Sequence, residues 1–535
     1  MKQEFLGKEI SGCFTIPSGI ITTNSRVIQR IANEIPAIGV ITTKSIGLEK
    51  RDGNREPILT QYAPGCFMNA VGLTNPGARE FARQLKEIKI PENRFLLASI
   101  FGKDAREFVE VAKILEPVSD GLELNMSCPH ATGYGIAIGQ DKELVKEITS
   151  AVKKAVGIPV IPKLTPNVSN LAEIAKAAVE GGADAVCAVN TVGPGYYAVE
   201  GNPVLSNKKG GMSGKGILPI GLKCVKEISE AVSVPIIGCG GISSAEDARE
   251  YQRAGASILG IGSALAGLSF EGLKKYFHKL SDDLENNSNN AVAGLKNIDM
   301  SFKKYALVEN RKITEGLSLL VFDKKIGIKP GQFVFAWVPG FGEKPFSVLN
   351  DNPLTLAIQN KGCLTEKLVN LEKGAVVYFR GPYGNPVNIK NNQKIILVAG
   401  GYGLAALHQI ARDFKNATLF FGAKDKRQLF YITELKKHAK VEVSTDDGSE
   451  GHKGFITELL QKRLDELKEK NLVFFNCGPE KMILKAIEVE KNFAPKENIY
   501  SSIDYVTKCG VGICGSCATK DGKRLCVDGP FIGEE

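Results

Sequence analysis

Four cysteines near the C-terminus, Cys509-x4-Cys514-x2-Cys517-x8-Cys526, have the spacing of a plant-type [2Fe–2S] ligand set, in which four thiolates converge on two irons. Gly510, Gly512 and Gly515 between them permit the tight loop that such convergence needs. Structural zinc is the other use of clustered thiols, but it usually pairs C-x2-C with C-x2-C, which this chain lacks. A second group of residues is spread over the first 270 positions. Ser18-Gly19, Lys44-Ser45, Asn125, Cys128, Lys163, Asn190-Thr191, Gly240-Gly241 and Gly262-Ser263 stand at or just after short apolar runs. Buried Lys and Asn are costly without partners, so these positions point to a ligand site at one end of a sheet. Cys128 stands between Asn125 and Pro129, and the plain reading of a free Cys is a small packed hydrophobe. A third group lies at glycine-rich turns. LVAGGYGLAAL contains Gly400, Gly401 and Gly403, and a later strand ends in Asn476-Cys477-Gly478-Pro479. Such turns bring phosphate to a helix N-terminus, although paired glycines also serve packing.

The elements that must position these groups follow from periodicity. Residues 1–280 alternate β-branched runs with amphipathic stretches, the pattern of βα units and a parallel sheet. Eight strands are predicted: Thr15–Pro17, Ala37–Thr43, Phe95–Ser99, Gly121–Leu124, Pro159–Pro162, Ala185–Val189, Pro235–Gly238 and Ser257–Ile261. Eight such units fit a (β/α)8 TIM barrel, whose active sites form at the C-terminal ends of the strands with phosphate held after the last two; a doubly wound sheet is the competitor. Helices are predicted over Lys142–Val156 and Leu171–Glu180. The polar, Asn/Ser-rich residues 281–299 read as a linker. Residues 300–390 carry short alternating strands broken by Gly and Pro, an antiparallel β-barrel pattern. Residues 391–495 return to an α/β nucleotide-binding pattern, and 496–535 hold the cysteine cluster. The fold class is α/β throughout.

Composition narrows the function further. Of 535 residues, 43% are hydrophobic and 24% charged, which excludes wholesale disorder and a small disulfide scaffold. The net charge of +9 is interspersed, with no dense basic block for nucleic acid or a membrane. No run approaches the ~18 apolar residues of a membrane span, and Glu4 and Glu9 stand where a signal peptide would be apolar. The expectation is a cytoplasmic protein with reduced thiols.

The order of barrel, Lys344-Pro345-Phe346-Ser347, Gly362-Cys363, glycine-rich α/β segment and cysteine cluster resembles the ferredoxin-reductase superfamily. More closely, residues 300–535 resemble the electron-transfer subunit of the NAD-dependent (class 1B) dihydroorotate dehydrogenases. KPFS matches that family's Arg-Pro-x-Ser flavin motif, with Lys344 in place of an Arg fork. Residues 1–270 resemble the family's catalytic subunit through LNMSCPH at Leu124–His130, NAVGL at Asn69–Leu73, Asn190-Thr191 and GGMSG at Gly210–Gly214. The resemblance implies two fused subunits carrying electrons from dihydroorotate through FMN, [2Fe–2S] and FAD to NAD+, yielding orotate for pyrimidine biosynthesis.

Residue by residue, the resemblance implies Cys128 as catalytic base. It implies Lys44, Asn69, Ala70, Val71, Gly72, Leu73, Asn125, Asn190 and Thr191 as substrate ligands. FMN would be held by Ser18, Lys44, Ser45, Asn125, Lys163, Val189, Gly214, Gly240, Gly241, Gly262 and Ser263. FAD would lie on Lys344, Pro345, Phe346, Ser347, Gly362 and Cys363, and NAD on Gly400, Gly401, Gly403, Cys477, Gly478 and Pro479. Cys509, Cys514, Cys517 and Cys526 would bind the [2Fe–2S] cluster. A homodimer through the barrels is implied in the same way. Many family members carry Asn where this chain has His130. The string SCPH with Gly139-Gln140-Asp141 also resembles the dihydropyrimidine dehydrogenases, one alternative; an electron-transfer reductase serving a protein acceptor is the other.

Overall fold

Short apolar runs bounded by glycine, proline or polar residues become eight parallel strands: β1 Phe14–Ile16, β2 Ile38–Thr42, β3 Phe95–Ile100, β4 Gly121–Asn125, β5 Val160–Leu164, β6 Val186–Ala188, β7 Ile236–Cys239 and β8 Ile258–Gly260. The computed structural model describes residues 2–126, 136–288, 298–390, 392–467, 471–503 and 506–533. The strands close into a barrel in sequence order, β8 pairing with β1. All eight lie within two residues of their predicted limits. The helices follow the same logic. Lys142–Ala155 starts where Asp141 accepts hydrogen bonds from the Glu143 and Leu144 amides, and it buries Val145, Ile148 and Val152. Leu171–Glu180 coincides with its predicted span.

The chain falls into two compact units, Met1–Met300 with Val511–Arg524, and Ser301–Gly510 with Leu525–Glu535. In the first, the hairpin Gln3–Phe5/Lys8–Ile10 plugs the floor of the barrel. Phe5 and Ile10 pack there with Val40, Phe95, Ile161, Ile237 and Ile258. A four-stranded antiparallel sheet, Val192–Tyr196, Lys209–Gly214, Cys66–Asn69 and Leu59–Ala63, is inserted in the strand–helix loops.

The second unit has two sheets. A seven-stranded antiparallel sheet curls round Leu320, Phe322, Val334, Leu356 and Phe379. The other is mostly parallel, in the order His452–Lys453, Lys440–Thr445, Ala417–Ala423, Lys394–Gly400, Leu472–Cys477, Ile499–Ser502 and Ile532–Gly533, the last strand antiparallel. The order reverses between Lys394–Gly400 and Leu472–Cys477, which makes a topological switch point.

Two domain limits differ from expectation. Residues 281–285, placed in the linker, are the last turn of the helix Phe270–Glu285, because Leu280 and Leu284 continue its buried stripe. The C-terminal 496–535 segment is no separate body: Val511–Arg524 belongs with the barrel and Leu525–Glu535 with the second unit.

Candidate functional site

The C-terminal ends of β1 to β8 surround a cavity of about 520 Å3, inside the ~300–1,000 Å3 range of small-molecule sites. One side carries the polar strand ends: Ser18, Lys44, Ser45, Asn125, Lys163, Asn190 and Thr191. The β7 and β8 turns contribute Gly240, Gly241, Gly262 and Ser263. The inserted sheet and the loop after it contribute Asn69, Val71, Gly72, Leu73 and Gly214, and Val189 completes the predicted lining. Ala70 is the exception. Alternation along the chain turns it away from the cavity, and it packs fully buried with Met68 and Leu205. Cys128 and His130 lie outside the described residues.

The polar groups are held by one another. Asn190 Nδ2 donates to Asn125 Oδ1 at 3.1 Å, and Asn125 Nδ2 to Ser45 Oγ at 2.8 Å. Lys163 Nζ donates to Ser18 Oγ at 3.1 Å and lies 3.7 Å from the Glu123 carboxylate. Burial works to strip Lys163 of its proton. Glu123 outweighs it, with smaller contributions from Cys187 and Cys239, and the ammonium is held above its ordinary range.

FMN fits this lining. Gly241 adopts φ +82°, and a Cβ there would meet Leu218 at 2.9 Å, so the β7 turn needs glycine. A Cβ on Gly262 would meet nothing nearer than 3.8 Å, which leaves a phosphate room against the β8 turn. These are the turns where barrels hold phosphate. Lys44 and Lys163 bring positive charge to the cavity, and the asparagine amides bring donors and acceptors that could match an amide-rich ring.

The segment Val511–Arg524 is docked against the same barrel unit. Ile21 N donates to Ile513 O at 2.8 Å, and Gly267 N to Val511 O at 2.7 Å. The buried Arg524 donates to Gly512 O at 2.7 Å and Leu268 O at 2.8 Å. Gly515, at φ +67°, approaches so closely that a Cβ would sit 2.0 Å from Thr23 Oγ1. Ile513 and Cys514 thereby line the cavity, a role the cysteine spacing alone did not reveal.

All four clustered cysteines are buried. Among the described residues, no group of three or more His, Cys, Asp or Glu is gathered as a metal site. The fit to a cluster therefore rests on the donor set, four buried thiols at [2Fe–2S] spacing.

In the second unit Lys344–Ser347 ends the edge strand Gly342–Ser347, against which the helix Cys363–Val369 packs. The Lys361 ammonium donates to the Tyr402 hydroxyl, which brings the Gly362-Cys363 loop beside the Gly401–Gly403 turn. That turn and Cys477-Gly478-Pro479 flank the switch point, the expected place for a nucleotide in such a sheet. The glycines divide by role. A Cβ on Gly403 would meet Cys477 O at 2.3 Å, and one on Gly478 would meet Gly400 N at 2.9 Å, so these serve turn-to-turn packing. Gly401 alone of the group faces open space.

Arg380, fully buried, donates to Cys509 O at 2.9 Å and is paired with Glu343 at 2.5 and 2.7 Å. Removing one partner of a buried pair leaves an uncompensated charge. Glu343→Ala should therefore cost about 3–5 kcal/mol, whereas replacing both residues by well-packed apolar ones should cost far less. Thermal unfolding of the three proteins checks this, and equal losses would refute it.

Residues 1–287 match the family described as dihydroorotate dehydrogenase. Residues 397–487 match the oxidoreductase NAD-binding domain, and 506–535 the iron–sulfur cluster binding domain of dihydroorotate dehydrogenase B. The dihydroorotate dehydrogenase B (NAD(+)) catalytic subunit of Methanocaldococcus jannaschii is 44% identical over 279 residues, 51% of this chain and 90% of its own length. That of Pyrococcus horikoshii is 41% identical over 281 residues, 51% of this chain and 89% of its own. A solved chain of an NADH-dependent reduced ferredoxin–NADP oxidoreductase is 27% identical, with a TM-score of 0.39, covering 43% of this chain and 87% of that one.

Proposed function

The chain belongs to the dihydroorotate dehydrogenase family, and on that premise we propose that it oxidises dihydroorotate to orotate in pyrimidine biosynthesis, with NAD+ as final acceptor. Its cofactors are FMN, a [2Fe–2S] cluster and FAD. The observation that carries the reading is the barrel cavity. It collects Lys44, Asn69, Asn125, Lys163, Asn190 and Thr191 with the glycine turns of β7 and β8, and it is lined also by Ile513 and Cys514 of the iron–sulfur segment.

Lys44 and the amides of Asn69, Asn125 and Asn190, with Thr191, grip the carboxylate and ring amides of the substrate. Cys128 removes the ring proton as thiolate. Ser18, Ser45, Val189 and Gly214 with the β7 and β8 turns hold FMN, and Lys163 keeps positive charge beside its ring. When bound, FMN would supply the hydride acceptor, and because flavins pass electrons in pairs or singly, the two flavins would join hydride chemistry at each end to a one-electron cluster. Lys344, Pro345, Phe346, Ser347, Gly362 and Cys363 hold FAD. Gly400, Gly401, Gly403, Cys477, Gly478 and Pro479 form the NAD turn. The four clustered cysteines hold the cluster.

The reading includes a homodimer through the barrels and a cytoplasmic location. Among the described residues no helix is long and apolar enough to cross a membrane. Acid-extracted flavins, iron and sulfide should show equimolar FMN and FAD with two irons per chain, and dihydroorotate should drive NADH formation. Zinc without iron, or a single flavin type, would overturn the assignment.

A further inference from the structure

Above the apolar floor, the barrel interior carries a polar layer of which the expected site residues include only Lys163. It comprises Thr15 on β1, Thr42 on β2, Ser99 on β3, Glu123 on β4, Lys163 on β5, Cys187 on β6 and Cys239 on β7. Glu123 is 1% exposed and Lys163 4%. A carboxylate at such a depth is expensive unless paired and hydrogen-bonded. Its bonds run in two directions. One is the ion pair with Lys163. The other begins with Ser99 Oγ, 2.8 Å from Glu123 Oε1.

The donors along the second branch can be assigned. An ionised carboxylate only accepts, so the single hydroxyl proton of Ser99 goes to Glu123. The contact between Ser45 Oγ and Ser99 Oγ at 2.9 Å must then be donated by Ser45. Ser45, its proton spent, accepts from Asn125 Nδ2 at 2.8 Å. Asn125 Oδ1 accepts from Asn190 Nδ2 at 3.1 Å, and Asn190 Oδ1 accepts from Thr191 N at 2.9 Å. Every donor points toward Glu123, and a chain polarised in one sense strengthens its own links.

We propose that Glu123 is a positioning residue that acts on both halves of the site: through Lys163 it holds positive charge beside the flavin, and through Ser99 and Ser45 it sets which way the Asn125 and Asn190 amides face the substrate. The inference rests on the dihydroorotate reading above. Among the described residues, Glu123 from β4, Cys187 from β6, Cys239 from β7 and the Ser18 hydroxyl after β1 face the Lys163 ammonium. Hydrogen bonding to Cys239 and burial hold Cys187 well above the usual thiol range, while the same bond holds Cys239 below it, so of the two thiols only Cys239 could share the carboxylate's part.

The test compares full-length holoenzyme with Glu123→Gln, Glu123→Asp and Ser99→Ala. The FMN potential is read by dye-equilibrated reductive titration, with FAD and the cluster as internal references. Orotate binding is read from the perturbed flavin spectrum. In Glu123→Gln, Lys163 has lost its anion and burial favours the neutral amine. The FMN potential should fall by about 30 mV or more, a tenfold change for a two-electron couple. It should also gain, between about pH 6 and 9, a slope with pH beyond the proton-linked slope that the flavin couple itself shows in the parent. Glu123→Asp should restore most of the potential. Ser99→Ala cuts only the amide branch. It should weaken orotate binding about tenfold, as loss of a bond to a charged group does, while the potential stays at the parent value. An unchanged potential in Glu123→Gln, or unchanged orotate binding in Ser99→Ala, would overturn the proposal. If Glu123→Gln does not fold, Ser99→Ala decides alone. Neither readout requires turnover, and bleaching of the parent by dihydroorotate separates failure of this inference from failure of the function reading.

Discussion

Cys128→Ser is expected to slow the bleaching of FMN by dihydroorotate by about 10²–10⁴-fold at neutral pH, the usual loss when a positioned base is removed. A free thiol ionises near pH 8.5, whereas a serine hydroxyl hardly ionises in water. The residual rate should therefore climb with pH, as hydroxide or a partly activated serine takes over. Substrate affinity should change much less, because Lys44 and the asparagine amides still line the cavity. NADH oxidation with an artificial acceptor should be untouched. Stopped-flow traces across about pH 6–10, bracketing the thiol range, check this. Equal bleaching rates at neutral pH would remove Cys128 as the base and turn attention to His130, a nearby residue in sequence whose side chain suits proton transfer near pH 7.

The second large effect separates the two halves of the reaction. Cys509→Ser exchanges a soft thiolate for a poor ligand at a residue whose carbonyl is tied to Arg380 and which does not line the barrel cavity. Cluster absorption should be lost, and NAD+ reduction by dihydroorotate should fall to background. FMN bleaching by dihydroorotate should keep its parent rate, because none of the groups holding substrate or FMN has changed. NADH should still reduce FAD. Stopped-flow spectra of each half-reaction read this directly. Persistent NAD+ reduction in a protein shown to lack the cluster would mean that electrons bypass it.

The legible parts of the molecule were those where one physical requirement dominates. Strands buried on both faces read as nearly continuous apolar runs, so all eight barrel strands stood out, and the polar residues just beyond them marked the cavity. What stayed hidden depends on tertiary partners. Ala70 sits inside a string read as substrate-binding, yet alternation buries it against Met68 and Leu205. Glu123 interrupts an apolar strand two residues before Asn125, on the same side of β4. That spacing was a usable signal, but its meaning needs Lys163 and Ser99 from neighbouring strands. Gly400, Gly403 and Gly478 look like phosphate glycines, although Gly403 and Gly478 are required where two turns touch. The polar residues 281–285 have linker composition, but Leu284 still packs, so the helix continues. The division of the iron–sulfur segment follows from Arg524, whose backbone partners no spacing rule names.

The most direct test of the central claim is anaerobic NADH formation by purified full-length chain offered dihydroorotate or dihydrouracil at equal concentration. The two substrates share the ring and differ in the carboxylate, which on the proposed reading Lys44 and the asparagine amides grip. Dihydroorotate should bleach FMN and yield one NADH per orotate, and dihydrouracil should give neither signal above background. Comparable or faster NADH formation from dihydrouracil would contradict the account and place the chain among the pyrimidine-base reductases instead.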